Sequence, residues 1–119
     1  MARMSNLKTI TFNNNCVKDA PLFFKSLSKC SSLEVIELKS VIFSGGNFNI
    51  EIAEALTKWV NLKVINFAYS NLNDENVKAL ATPLASLTQL QKANFKSLSI
   101  SVAAIEPTLA ALMLKKSQV

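Results

Sequence analysis

Apolar residues recur with the same spacing at four places along the chain. Leu7-x-x-Ile10-x-Phe12 returns as Leu33-x-x-Ile36-x-Leu38, as Leu62-x-x-Ile65-x-Phe67 and, more weakly, as Leu90-x-x-Ala93-x-Phe95, the starts lying 26, 29 and 28 residues apart. The alternation at the end of each motif predicts a short strand with two apolar side chains on one face. Another apolar position follows five residues later: Val17, Phe43, Leu72 and Ile100. Six residues before each new leucine stand Leu27, Leu56 and Leu84, and ten before stand Phe23, Ile52 and Leu80. That separation of four marks one face of a helix. Cys30, Trp59 and Leu87, three residues before each leucine, make a third apolar row. Each period therefore predicts a strand, a turn, a helix and a return to the sheet.

The periods divide a single domain, residues 1–119, into repeats of about 7–32, 33–61, 62–89 and 90–117. The third carries the fullest pattern, Leu62-x-x-Ile65-x-Phe67-x-x-Ser70-x-Leu72 followed by Asn73-Asp74-Glu75-Asn76-Val77-Lys78-Ala79-Leu80 and Leu84. This resembles the ribonuclease-inhibitor-like class of leucine-rich repeats, and the resemblance covers nearly the whole chain. It implies an α/β solenoid of about four strand-helix repeats, with a parallel sheet on the concave face and helices on the convex face. The family favours asparagine at the motif's ninth position. Here that position holds Asn15, Val41, Ser70 and Leu98, so a degenerate polar ladder is expected.

Neither the strand nor the helix of one repeat can bury its apolar face alone, so burial is expected between stacked neighbours. Pro21 suits the first turn of a helix. Asn73, Asp74 and Glu75 supply a cap and negative charge at the third helix's start. Gly45-Gly46 predicts a flexible loop, and Pro83 is expected to kink or end the third helix. Polar caps are missing at both ends, as in a segment cut from a longer array or in repeats that associate end to end.

Composition narrows the function. Half of the residues are hydrophobic, but the longest apolar stretch, Val102 to Leu114, is broken by Glu106, Pro107 and Thr108 and falls short of a membrane span. No apolar signal segment follows Met1, so a cytoplasmic protein is expected. Cys16 and Cys30 have no CxxC spacing and are expected to be buried free thiols. The net charge of +5 comes from scattered lysines, with Arg3 the only arginine, which argues against nucleic acid as a partner.

Histidine is absent, which removes the commonest general base and zinc-ligand partner. No phosphate-binding glycine motif appears, and Glu34 and Glu37 fall on opposite sides of one strand, a poor acid and base pair. No catalytic centre, cofactor or metal site is predicted, and Trp59 is assigned to the core. The strip facing away from the core remains. Its rows are Thr9, Val35, Val64 and Lys92; Thr11, Glu37, Asn66 and Asn94; and Asn13, Lys39, Ala68 and Lys96, with Tyr69 beyond them, level with Asn14, Ser40 and Ser97. From these, Thr11, Glu37, Lys39, Asn66, Tyr69, Lys92, Asn94 and Lys96 are the expected partner-binding residues of a protein-binding or scaffolding module. By resemblance of repeat type, the alternatives are a regulator of a small GTPase, as in the Ran GTPase-activating proteins, and an actin regulator similar to tropomodulin. A non-autonomous segment of a longer repeat protein is a further alternative.

Overall fold

The computed structural model describes residues 6–96 and 98. Ile100, the apolar run from Val102 to Leu114 and Ser97 lie outside the described residues. A helix follows one or two short strands in each unit: β1 (Thr9–Thr11), β2 (Cys16–Val17), α1 (Ala20–Leu27), β3 (Val35–Glu37), β4 (Ile42–Phe43), α2 (Asn49–Lys58), β5 (Val64–Asn66) and α3 (Asp74–Ser86), with β6 (Lys92–Asn94) last among the described residues. The fold is α/β. Four strands form one parallel sheet in the order β1-β3-β5-β6, and β2 and β4 form a second parallel pair. Each new main strand pairs with the one a period earlier, as expected when a helix carries the chain back to the start of the next strand.

The pairing register follows the spacing of the motifs. Ile10 pairs with Ile36, Ile36 with Ile65, and Ile65 with Ala93. Backbone bonds recur with the same period. The Lys8 carbonyl accepts from both Glu34 N and Val35 N, the Glu34 carbonyl from Lys63 N and Val64 N, and the Lys63 carbonyl from Gln91 N and Lys92 N. Because register and backbone bonding repeat together, equivalent side chains stack into rows across the units.

Those rows form one core. Leu33, Ile36, Leu38, Ile52, Leu56, Leu62, Phe67, Leu80 and Leu84 are fully buried. So are Cys30 and Trp59, and the Trp59 indole N–H donates to the Leu27 carbonyl of the preceding unit at 2.9 Å. A buried indole thus finds its acceptor, and two units are tied together by a bond worth about 1 kcal/mol. Between the first two units, the rings of Phe24, Phe43 and Phe48 meet pairwise with centroids 5.3–5.4 Å apart.

Several local expectations are corrected. The helix row of the first unit is completed by Phe24, which is fully buried, while Phe23 is only partly so. The first period is shorter than the others, and α1 therefore presents Ala20, Phe24 and Leu27 to the core. Pro83 does not end α3, which runs to Ser86. Its missing N–H forfeits a single bond close to the helix end. Pro21 does lie in the first turn of α1, where Asp19 caps the Leu22 amide, and Asn73 and Asn76 form a reciprocal capping box at α3. Gly45 is needed for close approach rather than flexibility: at φ 99°, a Cβ would lie 2.3 Å from the Lys18 carbonyl oxygen.

The ladder at the ninth position is degenerate as expected. Asn15 bonds the carbonyls of Phe12 and Asn13, Val41 is buried, and the buried Ser70 hydroxyl has no partner among the described residues. The next position compensates. Where β2 and β4 have Cys16 and Ile42, the third unit has Asn71, whose side chain accepts from Phe43 N at 2.7 Å and donates to Phe43 O at 2.9 Å. An amide side chain here does what a third paired strand would otherwise do.

The cysteines are both free, but only Cys30 is buried; Cys16 is exposed. Cys16 points away from the core because it alternates with the buried Val17, as its register partner Ile42 alternates with Phe43. Burial pushes the Cys30 thiol pKa up, so at neutral pH little reactive thiolate exists. A maleimide should therefore label Cys16 rapidly in the native protein and Cys30 only after denaturant is added. Equal labelling rates under native conditions would contradict this packing.

Candidate functional site

The outward face of the main sheet is set by strand alternation. Between the core-facing Ile10, Ile36, Ile65 and Ala93, register partners line up as Thr9, Val35, Val64 and Lys92 on one side and Thr11, Glu37, Asn66 and Asn94 on the other. Thr11 and Lys92 are exposed, and Glu37, Asn66 and Asn94 are half-buried. All eight predicted residues lie within this face or at the C-terminal ends of its strands. The structure brings them together in the predicted rows.

One member of the strip departs from expectation. Ala68 is buried, because a one-carbon side chain level with Lys39 and Lys96 does not rise past its neighbours. Its backbone continues the ladder, with Ser40 N donating to the Ala68 carbonyl. Side chains hold the same turns from beside the strands. Asn13 Oδ1 accepts from Lys39 N at 2.8 Å, Asn66 Oδ1 from Ala68 N and Asn94 Oδ1 from Lys96 N, both at 2.9 Å.

At the strand exits, Asn14, Ser40 and Tyr69 take φ values of 63°, 58° and 61°, the left-handed region, at equivalent positions of three units. Asparagine tolerates this conformation; a bulky tyrosine does so only under strain of about 1–3 kcal/mol. Tyr69 is held by its amide bond to the Lys96 carbonyl at 2.9 Å, and its side chain is 47% exposed. Lys39 Nζ and Lys96 Nζ lie 5.8 and 6.0 Å from its ring centroid, within range of cation–π attraction. The spacing of apolar residues placed Tyr69 beyond the strip, but gave no sign of this pairing, which depends on turn geometry.

Charge elsewhere on the face is sparse. An ion pair joins neighbouring units at the strand entrances, Lys63 to Glu34 at 3.4 Å, with both side chains partly exposed. Such a pair contributes little to stability. No group of three metal-ligating side chains occurs among the described residues. A concavity of about 250 Å³ lies elsewhere, between the starts of α2 and α3, lined by Asn47, Asn49, Asn73, Glu75 and Asn76 among others. Its amide oxygens are already engaged: Asn73 Oδ1 and Asn76 Oδ1 accept from each other's backbone N–H, Asn49 Oδ1 from Asn76 Nδ2, and Asn47 Oδ1 from Asn49 N.

Comparison of the chain with protein-family models, curated proteins and solved structures gave no match. The geometry of the sheet face itself therefore carries the functional argument.

The strained backbone at Tyr69 generates a test. Replacing an exposed tyrosine by glycine within a regular strand is destabilising, because glycine loses more backbone entropy on folding. At a left-handed position, relief of strain offsets that loss. Tyr69→Gly should thus leave the free energy of unfolding, measured in urea, within about 1 kcal/mol of the parent. A loss well beyond that would mean that Tyr69 supports the fold rather than decorating its surface.

Proposed function

We propose that the chain is a short leucine-rich-repeat solenoid of the ribonuclease-inhibitor-like class, and that it is a protein-binding or scaffolding module. In this reading the partner is held on the concave sheet face. The repeat assignment is supported by in-register strand pairing, a helix after each of three strands and backbone bonds that recur with the sequence period. Helices α1 and α2, and α2 and α3, pack side by side in chain order, as stacked repeats require.

The observation that carries the binding role is the exposed cluster at the strand exits, where Lys39, Tyr69 and Lys96 converge from three successive units. Tyrosine gives large contact area at low entropic cost, and polar side chains in register supply directional bonds around it. Thr11, Glu37, Asn66, Asn94 and Lys92 extend the surface across all four strands. The reading is non-enzymatic: the amides, hydroxyls, lysines, Glu37 and Tyr69 of this face serve as hydrogen-bonding and charged groups for a partner. No helix among the described residues is long and apolar enough to cross a membrane, and two free thiols accord with a cytoplasmic setting.

The helical side provides a matched control, since Lys25, Lys58 and Lys78 are exposed on α1, α2 and α3. With the full chain as bait, reversal at Glu37, Lys92 or Lys96, or Tyr69→Ala, should abolish capture of a partner while melting changes little. Reversal at Lys25, Lys58 or Lys78 should leave capture intact. Loss with the helix variants and retention with the sheet variants would move the binding surface to the helices.

A further inference from the structure

We propose that the C-terminal end of the main sheet seats the carboxylates of an acidic peptide segment on the partner, with Lys39, Lys96, Asn66 and Asn94 supplying the donors around Tyr69. This inference rests on the sheet-face reading above and gives it a ligand chemistry.

The orientation of the two amides is the starting point. Asn66 Oδ1 and Asn94 Oδ1 each accept a backbone N–H two residues ahead, from Ala68 and Lys96. A backbone N–H can bond only to the oxygen of the amide, so each Nδ2 is the end left over, and neither meets an acceptor among the described residues. Asn66 and Asn94 are register partners on adjacent strands, whose backbones lie about 4.8 Å apart, so the two amides stand side by side.

The lysines add charge at the same end. Lys39 and Lys96 converge on one ring and have no carboxylate partner among the described residues. Two ammonium groups beside one ring repel each other, and the ring's negative face offsets only part of that repulsion. An anion seated against either ammonium group would lower the positive potential that remains. Amides and ammonium groups together make a surface of donors, which selects acceptors that carry negative charge. Glu37, paired with Thr11 and Asn66, puts one carboxylate beside the Asn66 amide; the ammonium groups of Lys39 and Lys96 lie beyond it, at the strand exits.

A peptide fits better than a nucleic acid. The cluster has a single aromatic ring and no arginine, whereas single strands are held by successive stacking platforms along a basic groove. A carboxylate needs only the local donors present here.

The test is fluorescence anisotropy of labelled hexaglutamate titrated with the full chain at low ionic strength, beside hexaglutamine and a short oligothymidylate. Hexaglutamate should bind, and the two comparison probes should not. Asn94→Asp keeps the oxygen that Lys96 N requires but replaces the donor end with charge, so affinity should fall about tenfold or more. Asn66→Asp should act alike, as a second variant if the first fails to fold. Lys39→Gln with Lys96→Gln should also abolish binding, while Lys25→Gln with Lys58→Gln, equal in charge lost, should change it less than about twofold.

Equal weakening by the two lysine pairs would reduce the effect to overall charge and overturn the proposal. Preference for oligothymidylate would overturn it in favour of nucleic acid. Failure of hexaglutamate to bind would also overturn it; if partner capture still depended on Tyr69, the sheet-face reading would survive without its acidic ligand. If capture ignored the sheet variants as well, both would fall.

Discussion

The structure depends on one constraint: no strand-helix unit has enough surface of its own to cover its apolar row. The residues at equivalent positions make this visible. Ile36 and Ile65, flanked on both sides by other units, are 0% and 1% exposed, whereas Ile10 and Ala93, at the outer strands of the described sheet, are only partly buried. Leu38 and Phe67 repeat the contrast with Phe12 and Phe95. Full burial of such a side chain stabilises by about 1.5–3 kcal/mol, so the inner units hold together through neighbours rather than through themselves. The indole of Trp59 bonding the Leu27 carbonyl adds a directional tie across the same boundary.

The surface follows from the same constraint. Once Ile10, Ile36, Ile65 and Ala93 are aligned in the core, alternation leaves Thr11, Glu37, Asn66 and Asn94 no choice but to align on the opposite face. The strand exits then superpose unit on unit, bringing Lys39 and Lys96 to either side of Tyr69. Stacking for burial and presentation of a polar row are thus two consequences of one register. Tyr69 in a left-handed conformation is the place where local backbone preference yields to this arrangement.

Much of this was legible because burial leaves periodic traces. The spacing of Leu62, Ile65 and Phe67 anticipates strand β5 and its partners, and the rows of Thr11 and Thr9 come out as read. The same counting places Trp59 and Cys30 in the core, where both are fully buried. What escaped depends on features with no period. Phe24 rather than Phe23 faces inward because the first unit is short, and Pro83 sits too near the end of α3 to stop it. Cys16 is exposed by strand parity that a two-residue strand hardly reveals. The bonding of Asn71 to Phe43 and the amide orientations of Asn66 and Asn94 arise from side chains meeting backbone across or within turns, which spacing does not encode.

The claim that the units stand only through one another is tested most directly by amide hydrogen exchange on Ile65→Asp. An unpaired carboxylate at this buried position costs several kcal/mol, and the two preceding units are too few to form a stable stack without the third. Protection should therefore vanish together at Phe12, Leu38 and Phe67, whose amides bond the next strand over. If Phe12 and its neighbours in β1 and β3 kept their native protection while the third unit lost its own, the first two units would be stable without the third, and the account would be wrong.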